Sequence, residues 1–261
     1  MAAPKLTIFF LAGLYHNAPW FFDGIRSILS ARGYATETTS HVSGGRSVTV
    51  ANEGMLSDAR HVRSVLTKLI DEGKEIVFVV HSYGGLVVSN AVEGLSVQQR
   101  AAEGKQGGVL MIMFLSALAL PAGKSIMSLG DATAQPWEYT ADNYIVPKDP
   151  AQNFYGDVEH SLAVKAVSSL TPMSSQVLVE ESTYEPWNQG FEVGYIFTEN
   201  DKSIPISLQK QMFAQFPSGC FSASLATGHS PFLNAPDALS DAIQSGIEHV
   251  SQKRHLSLQQ V

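Results

Sequence analysis

Among 261 residues there is one cysteine, Cys220. A lone thiol closes no internal disulfide, which excludes a disulfide-stapled scaffold and suits a reducing compartment; a cytoplasmic location is the expectation. Positive charge is scarce as well: 17 Lys and Arg stand against 24 Asp and Glu, a net charge of −7. Phosphate backbones are met by clustered basic side chains, so no nucleic-acid partner is expected. An acidic chain is equally ill suited to an anionic lipid surface, and no apolar run reaches the ~18 residues of a membrane span. The N-terminal run LTIFFLAGL, 6–14, has a thin basic flank and no clean small-residue cleavage site, so it reads as a buried strand and not a signal peptide. Neither GxxxxGK[ST] nor GxGxxG occurs, and SGGRS at 43–47 lacks the flanking pattern of a phosphate loop. No His/Cys grouping has metal-ligand spacing. No cofactor and no metal are therefore expected.

What the chain has is 44% hydrophobic content, ample for one large core, arranged as apolar runs alternating with helical patterns. That alternation is the signature of a parallel sheet covered by helices. Strands are expected at 6–12, 34–40, 75–81, 109–117, 193–199 and 221–226, apolar enough to be buried on both faces. In the helix after Ser57, Val62, Val65, Leu66, Leu69 and Ile70 share a face, while Asp58, Arg60, Arg63 and Lys68 point elsewhere. Ser57 is its expected N-cap and Gly73 its stop. Further helices are expected after Ser82, at about 205–216 and at about 235–253. From 121 to 190 no strand is evident. A featureless loop of that length is implausible in a compact unit, so this segment is expected to fold as a cap over a core made of 1–120 and 191–261.

Sites in open parallel sheets form beyond the carboxyl ends of the strands. Here those ends carry AGLYHNAPW, HSYGG, TENDKSIP and TGHSPF. They supply a serine, an acid and a histidine in the order Ser82, Asp201, His229, with Glu199 as a rival acid on the same loop. Ser82 as a bare helix cap explains one hydroxyl but not the ordered acid and histidine.

On these residues the chain resembles the α/β-hydrolases, and within them the plant methylesterase and hydroxynitrile-lyase group with its bacterial and fungal relatives. The shared segments are Gly13-Leu14-Tyr15-His16, the elbow Ser82-Tyr83-Gly84-Gly85, Asp201 shortly before Ile204-Pro205, and the late His229. The resemblance implies an α/β fold, a mostly parallel sheet of about six strands flanked by helices, with a helical cap inserted after the fourth strand. It implies a catalytic triad of Ser82, Asp201 and His229, with the backbone N–H groups of Leu14 and Tyr83 as an oxyanion hole. Val80 departs from the pattern, standing where the first glycine of G-x-S-x-G falls, and is expected to crowd the elbow.

His16, Trp137, Tyr139 and Tyr144 are the expected substrate-binding residues, although loop hydrogen bonding (His16) or packing inside the cap (the aromatics) accounts for them equally well. Trp137, Tyr139, Tyr144, Phe154 and Tyr155 give the cap large apolar faces with polar tips. His81 is expected to pack under the elbow and Cys220 to be inert. The implied activity is cofactor-independent hydrolysis of an ester, thioester or lactone of a small, fairly apolar molecule, through an acyl-serine. The scaffold also serves lyases and cyclases, ligand-binding receptors, and peptidases or lipases. The hydroxynitrile lyases carry lysine directly after the catalytic histidine, where this chain has Ser230, which argues against cyanohydrin cleavage. The expected partner is a small-molecule substrate, with a homodimer left open.

Overall fold

The computed structural model describes residues 6–47, 49–132 and 137–258. Strands β1 (Leu6–Leu11), β2 (Ala35–Thr39), β3 (Glu75–His81) and β4 (Gly108–Leu115) alternate with helices α1 (Asp23–Ala31), α2 (Met55–Asp71), α3 (Tyr83–Ala91) and α4 (Val97–Ala102). The segment 121–190 then interrupts the alternation. It holds the short strands β5 (Trp137–Tyr139), β6 (Tyr144–Pro147) and β7 (Met173–Ser174), paired antiparallel, and the helices α5 (Pro150–Asn153), α6 (His160–Ser168) and α7 (Gln176–Val179). A purely helical cap is thus corrected to a mixed one. Its strands run two to four residues, too short for a period-two pattern to stand out in the sequence. The chain returns through β8 (Val193–Thr198), α8 (Ile206–Phe213), β9 (Phe221–Leu225), α9 (Pro231–Asn234) and α10 (Pro236–Leu258).

Six strands form one sheet in the order β2-β1-β3-β4-β8-β9, with every neighbouring pair parallel. Every residue of β3 and β4 is buried, as apolar strands covered on both faces must be. Helix α1 packs with α10, and α2 with α3. From β1 the chain steps outward to β2, then crosses back to β3 and proceeds the other way. The reversal lies between β1 and β3, where Leu11 stands in register beside Val80. The loops that leave those two strands diverge there, and a crevice opens at their carboxyl ends.

Helix α2 starts before the expected cap. Its N-cap is Gly54, and Ser57 lies inside the first turn, where its hydroxyl accepts from Arg60. The capping carboxylate is Glu180, which accepts from the N–H of Leu56 at 2.8 Å. A side chain at Gly54 would collide with that carboxylate, which explains the glycine. A cap supplied from more than a hundred residues away leaves no local signature. Among the described residues no helix is long and apolar enough to cross a membrane.

Candidate active site

Strand β3 ends at His81 and helix α3 begins at Tyr83, so Ser82 alone makes the turn. Its backbone sits at φ 53°, ψ −123°, a conformation that non-glycine residues rarely adopt. Such strain persists where surrounding contacts over-determine it. The Ser82 carbonyl accepts from the N–H groups of Gly85 at 3.1 Å and Leu118 at 2.9 Å. Its own N–H donates to Leu115 at 3.3 Å. Close approach explains two glycines. A Cβ at Gly84 would meet the carbonyl oxygens of Leu11 and Ala12 at 2.7 Å, and one at Gly13 would meet Ser82 Cβ at 2.6 Å. Val80 is fully buried in β3 and the elbow forms with it in place.

Asp201 lies just beyond β8 and His229 just beyond β9, adjacent strands of the sheet. His229 Nδ1 and Asp201 Oδ2 are 2.8 Å apart, and both residues are buried. The carboxylate is satisfied at every side. Oδ2 also accepts from the hydroxyls of Ser116 and Thr198, and Oδ1 from the N–H groups of Ser203 at 2.7 Å and Ile204 at 2.9 Å. Burial pushes the Asp201 carboxyl up, but the His229 charge and the bonds from His229, Ser116 and Ile204 outweigh it and hold it below its ordinary value. It is built to stay ionised. The rival Glu199 is exposed on the same loop.

Ser82 and His229 line one cavity, together with Leu14 and Tyr83. Tyr83 opens α3, so its N–H has no intrahelical acceptor, and the positive end of the helix dipole points at the Ser82 turn. Apart from Tyr15, His16 and Ser203, the cavity's other walls are apolar. Leu118 and Ile204 come from the core, Ile126, Leu129, Trp137 and Phe154 from the 121–190 segment. The Phe154 ring lies 5.6 Å from that of His229. Leu118, Ile126 and Leu129 carried no signal in the sequence beyond being apolar, and Ile204 stood there only as a marker of the acid.

The other expected residues divide. Trp137 and His16 line the cavity. His16 has no free nitrogen: Nδ1 donates to Leu14 O at 2.7 Å and Nε2 accepts from Tyr155 Oη at 2.8 Å. Burial lowers its pKa to about 3, so the ring stays neutral and fixes the 14–16 loop. Tyr139 and Tyr144 are corrections, for neither lines the cavity. Tyr139 is 59% exposed, with its hydroxyl toward Met127 Sδ. The Tyr144 phenol is committed to the 47 loop, donating to Ser47 O at 2.6 Å and accepting from Ser47 N at 2.9 Å. His81 packs beneath the elbow, its Nε2 donating to the backbone carbonyl of His229 at 2.8 Å.

Asp58 is also a correction. Placed outward by helical periodicity, it is fully buried beside the elbow and accepts from Tyr83 Oη at 2.7 Å and Ser43 Oγ at 2.6 Å.

A six-stranded parallel sheet with a strained serine elbow after its third strand, an acid and a histidine after its last two, and the 121–190 segment inserted between defines the α/β-hydrolase class of fold. The chain belongs to the alpha/beta hydrolase family, whose model matches residues 8–242. It is 26% identical over 238 residues to an alpha/beta hydrolase of Aspergillus novofumigatus, nvfD, covering 89% of this chain and 93% of that one. Solved structures share the fold. The methylesterase MES16 from Arabidopsis superposes with TM-score 0.73 at 19% identity, over 93% of this chain and 99% of its own. The pyrethroid hydrolase PytH gives 0.71 at 19%, over 92% and 96%, and tomato methylketone synthase I gives 0.71 at 17%, over 94% and 98%.

Proposed function

We propose that the protein is a cofactor-independent serine hydrolase that cleaves an ester, thioester or lactone of a small, fairly apolar molecule. The observation that carries this reading is the buried Asp201–His229 pair at 2.8 Å, whose histidine shares a cavity with the strained Ser82. With Nδ1–H held by Asp201, the imidazole presents Nε2 as the base. Ser82 Oγ attacks the substrate carbonyl as His229 takes its proton. The oxyanion is received by the N–H groups of Leu14 and Tyr83. His229 then protonates the leaving oxygen or sulfur, leaving an acyl-serine. A water, deprotonated by the same nitrogen, attacks that acyl group, and the proton returns to Ser82 as the acid departs. The largely apolar walls favour a fairly apolar substrate, and a methylesterase among the proteins of like fold supports the ester class.

The test is a fluorophosphonate probe combined with a chromogenic short-chain ester. Labelling at Ser82 with multiple turnovers is expected, and Ser82→Ala should be folded with kcat reduced roughly 10⁴-fold or more. Labelling without turnover would point instead to a lyase or receptor on the same scaffold. Activity of Ser82→Ala within tenfold of the parent would remove Ser82 from the mechanism.

A further inference from the structure

Four tyrosines are essentially without exposure: Tyr15, Tyr83, Tyr155 and Tyr195. Three of them spend their hydroxyls, on Asp58 at 2.7 Å, His16 at 2.8 Å and Ala117 O at 2.9 Å. The fourth does not. Tyr15 Oη is buried and has no hydrogen-bond partner among the described residues. Buried phenols ordinarily find a partner, because desolvating an O–H without one costs free energy that a phenylalanine would avoid. Tyr15 also lines the cavity that holds Ser82 and His229.

The residue is held there against its own backbone preference. Tyr15 has φ 71°, the left-handed region, where a bulky aromatic is an outlier. Both backbone polar groups are clamped by the segment that covers the sheet. Its N–H donates to Met173 Sδ at 2.9 Å, and its carbonyl accepts from Thr171 N–H at 2.9 Å. Its ring stacks on Phe154 at 6.2 Å. Burial, with Tyr139 adding to it, pushes ionisation far above the ordinary phenol range, so the group remains a neutral O–H able to donate and accept. Strained backbone, fixed ring and an unspent hydroxyl together mark a recognition group more than a packing one.

We propose that the Tyr15 hydroxyl binds a second oxygen of the substrate, a carbonyl or hydroxyl separate from the reacting ester. Away from the triad and Ser203 the wall is apolar through Leu118, Ile126, Leu129, Trp137 and Phe154, and the other polar ring nearby, His16, is already paired at both nitrogens. The substrate class narrows accordingly to a keto- or hydroxy-substituted ester, thioester or lactone with an otherwise hydrocarbon body. The ester part of this inference rests on the hydrolase reading; the second oxygen does not.

The experiment uses p-nitrophenyl esters in matched pairs, each alkyl acyl chain set against one in which a methylene is replaced by a ketone, walked along the chain. The wild-type protein should favour at least one oxo-ester over its alkyl partner by roughly tenfold in kcat/KM, and Tyr15→Phe should bring that ratio close to one. The unliganded Tyr15→Phe protein should also melt no lower than the parent, because it sheds an unpartnered buried hydroxyl. No oxo preference in the parent, or an undiminished preference in Tyr15→Phe, overturns the proposal, as does an equal loss on both members of each pair. If no ester turns over, the hydrolase reading fails separately. Calorimetric titration of both proteins with matched long-chain ketones and alkanes then decides the question, a Tyr15-dependent preference for the ketone supporting it and none overturning it.

Discussion

The phenol of Tyr83 donates to the carboxylate of Asp58 at 2.7 Å, tying the residue that follows the elbow serine to helix α2. Asp58 is fully buried and also takes the N–H and hydroxyl of Ser43, at 2.9 and 2.6 Å, while His41 Nδ1 lies 3.6 Å away. The side chain of Tyr83 therefore anchors the same residue whose N–H is the proposed oxyanion donor. Removing one donor from a buried carboxylate costs about 1–3 kcal/mol, so Tyr83→Phe should unfold at lower denaturant. It should also lower kcat by about tenfold with little change in KM, because an oxyanion donor acts mainly in the transition state. Kinetics taken where both proteins are fully folded separate the effects. A lowered melting point with an unaltered kcat would confine Asp58 and Tyr83 to stability.

Asp201 and Glu199 sit on one loop with opposite environments. Asp201 receives five hydrogen bonds, His229 among them, whereas Glu199 is exposed. Asp201→Asn should reduce kcat by about 10⁴-fold, because the amide favours the wrong imidazole tautomer, and Glu199→Gln should stay within twofold or so. The reverse ranking in steady-state assays would transfer the acid's role to Glu199.

Two buried histidines set the acid side of the stability curve. Burial, helped by His229 and His41 and opposed by the bond to Leu14, lowers His16 to about 3. Burial, then His229 and His16, lowers His81 well below the ordinary value, against the bond to the His229 carbonyl. Below about 6.5 the unfolded chain takes up protons on both that the folded chain refuses. Stability should therefore fall as pH drops from about 6.5, and the His16 share should keep falling until about 3. Each ring contributes up to about 1.4 kcal/mol per pH unit. Asp201 adds a loss at lower pH. Its folded value lies below the unfolded one, so its stabilisation is present above the unfolded value and disappears as pH falls through the folded one. Urea titrations between about pH 7 and 5 should show a shallower slope for His16→Gln than for the parent. Identical slopes would contradict a neutral, buried His16.

Ser82, Asp201 and His229, the residues of the proposed site, were legible in the sequence because each follows the end of a strand, and strand ends announce themselves through composition. Asp58 was not. Helical spacing places a charged residue of a first turn outward by default, and only the packing of α2 on α3 brings it against Tyr83. The same limit hid Glu180, whose capping of α2 is a contact between distant segments. Tyr15 lies inside the Gly13-Leu14-Tyr15-His16 segment, yet nothing local announces a left-handed aromatic, since its backbone is held by Thr171 and Met173. In the cap, aromatic content said that a cavity wall was available but not which rings would form it.

Trp137 and Tyr139 put that distinction to measurement. They stand two residues apart on β5, yet Trp137 is 8% exposed and lines the cavity, while Tyr139 is 59% exposed and does not. On the proposed hydrolase reading, an indole in the wall would touch the body of the substrate, whereas the triad and oxyanion donors would act only on the reacting carbonyl. Trp137→Ala should therefore cost about 1–3 kcal/mol in kcat/KM on a bulky apolar ester and distinctly less on an acetate, which does not reach the wall. Tyr139→Ala should leave both rates within about twofold, as surface changes away from a site usually do. Paired assays of p-nitrophenyl acetate and a long-chain or aromatic ester across the two variants give the comparison. Equal losses on both esters in Trp137→Ala, with the fold intact by circular dichroism, would mean that Trp137 supports the cap and does not read the substrate. A selective loss in Tyr139→Ala would mean that Tyr139 also reads the substrate.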